Sequence, residues 1–427
     1  MTKRIARAAL VACLLSTAAV FAVTVPLSPA IAKAAPAGGS VSAPVGKFLQ
    51  PAQAAMQAND FATALGLVKQ AQALPDQTPF DTYKINEFLG NIYVHQNDHP
   101  NAFIAFAAMA DSPSLADDTP DQQANTLRVA GLLATEQKAY DQGIKYDTAF
   151  LALPGGKPDP TVLASLSQAY YYKNDFANSE AFAHKAIDAT PPGQAPNEGA
   201  LQILFGAQLK AKNMDGAIAT LEQIVTYYDD PDEWGQLIDA SLGIKGIKDF
   251  EALHIYRLRL VAKAGGQPDD YSVPAQLALS VGYPVEAKAF FDAGIAAGKV
   301  SHGDKGVADA DSRAAKDRQT LAGFAAVAEK GSGELELKLA ETYYGYGRYA
   351  DAEAAARRAL TKGGAKDDPN EANMVLGEAL LLQGKTPDAL AAFAAVKGAS
   401  PAMTRAAHLW TLYANRKVAA AGAPAAQ

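Results

Sequence analysis

The chain has 427 residues, 49% of them hydrophobic and 19% charged, with a formal net charge of −7 and one cysteine. An acidic balance without a basic stripe excludes nucleic acid as the natural partner. A lone cysteine excludes a disulfide framework and thiolate metal sites, so stability has to come from packing.

Residues 1–32 open with Lys3, Arg4 and Arg7 and run apolar from Ala8 to about Val25. Pro26, Pro29 and the small-x-small sequence Ala30-Ile31-Ala32 follow. The pattern reads as a secretory signal peptide. An uncleaved anchor is the rival reading, because an apolar run of about 18 residues is near the minimum for a membrane span. Too few apolar residues precede Cys13 for a lipoprotein signal, so lipidation is not expected. Cleavage after Ala32 would remove Cys13 and three positive charges, taking the formal charge from −7 to −10. The expected location is the periplasm of a bacterium, with no membrane span after cleavage. Residues 33–43 form a small, flexible lead-in.

From Pro44 onward one template recurs. In its clearest copy Ala340 is followed by Tyr343, Gly347, Tyr349, Ala352, Ala356 and Ala359, at offsets +3, +7, +9, +12, +16 and +19. These spacings put small and aromatic residues on the facing sides of two helices joined at Gly347. Good copies start at Gly90, Ser167 and Gly377, and weaker ones at Ala52, Gly131, Phe205, Ser241 and Ala275. One interval, from 275 to 340, is nearly double the others. A degenerate unit is therefore expected at about 300–333, either a poorly patterned hairpin or a long helix with a mobile lead-in.

The turns within the hairpins have their own chemistry. In Asn59-Asp60-Phe61, Asn97-Asp98-His99 and Asn174-Asp175-Phe176 the Asn can take the left-handed conformation and the Asp can cap the next helix. The following ring is expected to point back into its own hairpin. Proline-rich joints, among them Pro79, Pro120 and Pro160, separate one hairpin from the next. Ala402 to Val418, with Trp410 and Tyr413, reads as a terminal capping helix, and 418–427 as a disordered tail.

No segment alternates with period two for long, so an all-α fold is expected. The template resembles the tetratricopeptide repeat. That resemblance implies a right-handed α-solenoid of about ten TPR-like helical hairpins with a C-terminal capping helix, spanning 44–417 as one elongated body in which neighbours touch only neighbours.

Catalytic chemistry is poorly represented. His95 and His99 are four apart but straddle a turn, and no third ligand accompanies them. Gly384-Lys385-Thr386 lacks the earlier glycine and preceding strand of a phosphate loop. Asp304, Asp309 and Asp311 lack the glycine and terminal glutamate of a calcium loop. No catalytic residue, metal or cofactor is expected. Binding is the better reading, since stacked hairpins present their first helices along a groove. The groove-facing candidates are Lys84, Glu87, Asn91 and His95, then Arg128, then Gln168, Tyr171 and Tyr172, and finally Glu341 and Tyr344. For Tyr171 and Tyr172, packing against the neighbouring hairpin weighs equally with partner contact.

Short words in order, among them Phe88-Leu89-Gly90-Asn91-Ile92-Tyr93, Glu233-Trp234-Gly235-Gln236-Leu237 and Gly282-Tyr283-Pro284-Val285-Glu286-Ala287, are similar to periplasmic tetratricopeptide proteins that accompany TonB–ExbB–ExbD systems. That resemblance implies a non-enzymatic scaffold accessory to TonB-dependent outer-membrane uptake, with a protein or peptide partner in the cell envelope. It supplies no catalytic residue. The alternative is a scaffold for envelope assembly or polysaccharide export; a hydrolase or metalloenzyme would need a clustered set of acids or histidines in one pocket.

Overall fold

The computed structural model describes residues 39–154, 158–228, 230–362 and 369–422, with side chains as far as Arg416. The signal-peptide pattern of 1–32 and the first part of the lead-in lie outside the described residues. Among those described, the fold is all-α, with twenty α-helices, one short 3-10 helix and no strand.

Nine antiparallel helix pairs make up most of it. They are α1 (Ala43–Gln57) with α2 (Phe61–Gln72), α3 (Pro79–His95) with α4 (His99–Ala110), and α5 (Pro120–Glu136) with α6 (Tyr140–Leu151). Next come α7 (Pro160–Tyr172) with α8 (Phe176–Asp188), α9 (Glu198–Lys210) with α10 (Met214–Tyr227), and α11 (Pro231–Leu242) with α12 (Asp249–Val261). After α13 (Asp269–Val281) with α14 (Pro284–Ala296), a single helix α15 (Lys305–Lys330) intervenes. The series ends with α16 (Gly333–Gly345) and α17 (Tyr349–Ala359), α18 (Asn370–Leu382) and α19 (Thr386–Ala394), and the lone α20 (Pro401–Gly422).

Local chemistry sets these boundaries. Asn59, Asn97 and Asn174 have φ of 58°, 56° and 63°, the left-handed turn that ends each first helix. Asp60, Asp98 and Asp175 then accept hydrogen bonds from the backbone N–H of Thr63, Asn101 and Asn178. Pro79, Pro120 and Pro160 stand at the first position of their helices, where no N–H is needed. Thr78 and Thr119 cap two of those helices with full capping boxes.

Of the two readings of 300–333, the structure has the long helix, Lys305–Lys330, and not the hairpin. Between Ala308 and Lys330 no residue forces a turn, and a run rich in Ala, with Lys and Arg among it, sustains a helix. Val307 and Ala310 at its start join the core around Phe290 and Phe291, while Val327 near its end is 59% exposed. The tail expectation also shortens. Ala419 to Gly422 continue α20, since alanine is the strongest helix former, and only 423–427 fall outside the described residues.

The described chain divides into two compact units, 39–217 and 218–422, the boundary lying within α10. In the amino-terminal unit each hairpin packs on its neighbours in sequence. The carboxy-terminal unit breaks the neighbours-only rule: α20 packs on α18 and α19 and also on α11 and α12, so the last helix meets the first hairpin of its own unit. Helices α12, α14, α16 and α18 thereby surround a common centre.

The template also sets how closely paired helices approach. Gly90 and Gly377, at its first position, lie against Phe106 and Phe393, sixteen residues on. A Cβ added at either glycine would come within 2.8 and 2.4 Å of those rings. Gly131 has Asp147 at the same offset, and a Cβ there would lie 1.8 Å from Oδ1 and 3.1 Å from the Asp147 backbone nitrogen. Gly131→Ala should therefore force α5 and α6 apart and destabilise the amino-terminal unit by roughly 1–3 kcal/mol, read as a lowered melting temperature.

Candidate functional site

Helices α3, α5 and α7, the first members of three successive hairpins, carry eight of the ten groove candidates. Lys84 Nζ sits 2.7 Å from Glu87 Oε2 and about equally far from the rings of Phe80 and Tyr83. Arg128 Nε donates to Asp159 Oδ2 at 2.8 Å, tying α5 to the start of α7. Gln168 is half-buried. Asn91 is buried, with its amide donating to the Glu87 carbonyl at 2.8 Å, so it presents no groove surface.

His95 and Tyr172 occupy equivalent places. His95 stacks on Phe61 with ring centroids 4.6 Å apart, and Tyr172 stacks on Tyr140 at 5.2 Å with an interplanar angle of 11°. In template terms, offset +5 of one copy meets offset +9 of the copy before. Glu136 and His99 fill the same two offsets and pair at 2.6 Å between Oε1 and Nδ1. The rings at +9 in Phe61 and Tyr140 thus face the next hairpin and not their own, because the following first helix supplies a ring or charge at that point. Phe176 keeps the expected direction, edge-on to Tyr171 of its own hairpin. Tyr171 also lies over Gly206 of α9, where an added Cβ would be 3.2 Å from the ring. Both tyrosines therefore have packing roles, while Tyr172 stays 39% exposed.

Tyr172→Ala should cost about 1 kcal/mol, the worth of an aromatic pair beyond its burial, and Tyr172→Phe much less. Thermal unfolding of the two variants checks this.

The remaining candidates, Glu341 and Tyr344 on α16, are buried in the carboxy-terminal unit. They do not line a groove, because both face Arg257 at the centre that α12, α14, α16 and α18 surround. What they line is a charge cluster. Arg257 on α12 donates from Nε and Nη2 to both oxygens of Glu286 on α14, at 2.6 and 2.8 Å. Its Nη2 also reaches Glu341, and its Nη1 reaches Glu378 on α18 at 3.0 Å. His254, one turn before Arg257, places Nδ1 2.8 Å from Glu378 Oε1 and Nε2 3.9 Å from Glu341 Oε1. Tyr344 covers the guanidinium, with its centroid 4.3 Å away. The side chains of Arg257, its three glutamate partners and His254 are all 5% exposed or less.

Burial works against the charged forms of these groups, and their neighbours decide the outcome. Burial alone would lower His254, but Glu378 and Glu341 outweigh it and hold the imidazole above its usual range. Burial raises Glu286 despite Arg257. A second anomaly lies in the amino-terminal unit. Neither oxygen of the buried Asp147 has a hydrogen-bond partner, the nearby Ser165 hydroxyl being turned to Thr135, and the carboxyl is pushed up to about 8, by burial above all and by the charge of Asp159, against the smaller opposing pull of Ser165 and Arg128. Sequence reading missed His254, Arg257, Glu286, Glu378 and Asp147. A signal existed for two of them: Asp147 and Arg257 both stand at +16 of their copies, where Phe106, Phe393 and Phe291 fill the core elsewhere.

The cluster has the chemistry of a structural hub that holds protons. Among the described residues, no group of three or more His, Cys, Asp or Glu side chains is arranged to hold a metal ion, and no helix is long and apolar enough to cross a membrane.

Residues 49–117 and 337–404 match the family model described as tetratricopeptide repeat. No curated protein matches the chain. Among solved structures, a tetratricopeptide repeat protein from Parabacteroides merdae is 13% identical, with 64% of this chain and 99% of that one covered and a TM-score of 0.34. The TPR2AB domain of yeast Sti1 in its pHSP90 complex is 13% identical over 70% of this chain and 99% of that one, at a TM-score of 0.24. PilW, a widely conserved type IV pilus biogenesis factor, is 13% identical over 63% and 98%, at 0.28.

Proposed function

We propose that this chain is a non-enzymatic interaction scaffold of the bacterial periplasm, accessory to TonB-dependent uptake across the outer membrane. Tetratricopeptide proteins bind protein or peptide partners, and the family match at both ends of the hairpin series supports that class of function. The observation that carries the reading is the surface of α3, α5 and α7. Lys84, Glu87, His95, Arg128, Gln168 and Tyr172 all keep some exposure there, on three hairpins in a row. Exposed aromatic and charged side chains on a rigid repeat suit a peptide or protein ligand. The location rests on the signal-peptide pattern of 1–32, and the TonB association on the short words quoted above.

Mild crosslinking in the producing cell, followed by purification of the chain and identification of its partners, tests the reading. The expected result is capture of TonB-system components, reduced in an Arg128→Ala/Tyr172→Ala double variant that still folds. Capture of envelope-assembly or polysaccharide-export proteins would favour the alternative scaffold. Normal growth on iron complexes after deletion, together with no TonB-system capture, would reject the preferred role.

A further inference from the structure

The closure of the carboxy-terminal unit is polar to an unusual degree. Ser400, just before α20, donates to Glu251 Oε1 at 2.6 Å. Arg405 donates to Ser241 Oγ at 2.9 Å and pairs with Glu222. His408 Nε2 lies 3.0 Å from the other oxygen of Glu222. Deeper in, Trp410 donates its indole N–H to the backbone carbonyl of His254 at 2.9 Å. The helix that closes the unit thus hangs on the backbone of the residue that anchors the buried cluster.

That cluster does not balance by itself. Three glutamates face one guanidinium and one imidazole. With His254 protonated and every glutamate ionised the net charge is −1, and with His254 neutral it is −2. A buried excess of negative charge is costly, so the site must take up protons or open. We propose that α20 is a proton-dependent latch, seated on α11, α12, α18 and α19 while His254 and one glutamate of the cluster carry protons, and released when they lose them.

The directions of the individual groups agree. His254 and Glu286 are both held above their usual ranges, so what they contribute is complete at low pH and is lost as pH rises through their values in the folded chain. Tyr283 and Tyr344, which face the cluster, and Tyr349 beside Glu286 are raised as well, chiefly by burial, and remain neutral. Glu371 also adds to the rise at Tyr283. From α20 the approaching group is Trp410, while Arg405 and His408 are engaged with Glu222. Burial opposes the charge on Glu222, but His408 and Arg405 outweigh it and hold the carboxyl below its usual range, so the Glu222–Arg405 pair does not loosen as pH rises. The latch is therefore closed in mildly acidic medium and yields on the alkaline side.

The sequence holds two tryptophans, Trp234 and Trp410. Both sit at this closure, Trp410 stacked near Phe393 and Trp234 edge-on to Tyr413 of α20. Their emission in the full chain reads the latch directly. Between pH 5.5 and 9 the expected result is a red shift of emission and at least tenfold faster hydrogen exchange in α20, corrected for the intrinsic pH dependence, with far-UV ellipticity retained. Glu286→Gln removes one excess carboxylate and should move the midpoint up by a pH unit or more. His408→Gln removes the titratable group of the outer tie and leaves the cluster intact, so the midpoint should stay in place. Unchanged emission across the range, loss of ellipticity together with the emission change, a midpoint unmoved by Glu286→Gln, or one abolished by His408→Gln would each overturn the proposal.

Discussion

Arg257→Met is expected to unfold the carboxy-terminal unit at neutral pH while leaving the amino-terminal unit folded. Arg257 is the one full-time positive charge at the centre, held by Glu286, Glu341 and Glu378 from three separate helices. Methionine fills much of the same space, so packing alone would tolerate the change. The electrostatics would not, because three buried carboxylates would face a single imidazole. Removing one partner of a buried ion pair costs about 3–5 kcal/mol, and here one cation serves three partners. A cost of that size is comparable to the whole stability of many domains, commonly about 5–15 kcal/mol. Acid should rescue the variant, since protonated glutamates no longer need the guanidinium. Thermal melting followed by tryptophan emission at pH 4.5 and 7.5 tests this. A variant that melts like the parent at pH 7.5 would show that the cluster contributes little to the fold.

The two units differ in how much of them could be read beforehand. Hairpin turns were legible because their chemistry is local. An Asn with φ near 60° followed by an Asp that caps the next helix needs only a few adjacent residues. Helix pairing was legible because the small residues Ala340, Ala352 and Ala359 lie on facing sides of one hairpin and are fully buried. The long α15 was harder, since a missing turn is an absence, and a polar stretch such as Ala308 to Arg318 fits a loop or an exposed helix equally well.

Closure of the carboxy-terminal unit is not a local property. It depends on small rotations added from each hairpin to the next, and no single repeat encodes that sum. Hence Tyr344, at the template offset of the half-buried Val94 and Tyr171, is an interior residue in this unit. Asn91 is a milder case, at the same template offset as Glu341 and Glu378. All three of these side chains are buried, so the offset itself faces inward in both units. The charged residues at +16 were visible in the sequence, but only as departures from a pattern. A charge in a core slot predicts either a partner from elsewhere or a group kept neutral. Arg257 takes the first course and Asp147 the second.

Asp147→Asn is expected to stabilise the amino-terminal unit at alkaline pH and to flatten its pH dependence. Asp147 faces Gly131 in the slot where three other copies place a phenylalanine, with both oxygens lacking partners. Raised to about 8, the carboxyl stays protonated in the folded chain while the unfolded chain ionises near 3.8. Folding must then hold a proton that the unfolded chain gives up, so stability is complete below the unfolded value and falls from about pH 4 until the folded group ionises. At roughly 1.4 kcal/mol for each pH unit between the two values, the loss by pH 8 is on the order of 5 kcal/mol. Asparagine has nearly the same shape and no proton to lose. At pH 3.5 the variant should lie within about 1 kcal/mol of the parent, because the carboxyl is then largely protonated in the folded and the unfolded chain alike. At pH 8.5 it should be more stable by a few kcal/mol. Both tryptophans lie outside this unit, so the readout is hydrogen exchange in α5, α6 and α7 at the two pH values. Equal protection of parent and variant at pH 8.5 would mean that Asp147 ionises in place, with a partner such as Ser165 or Arg128 swinging in to meet it.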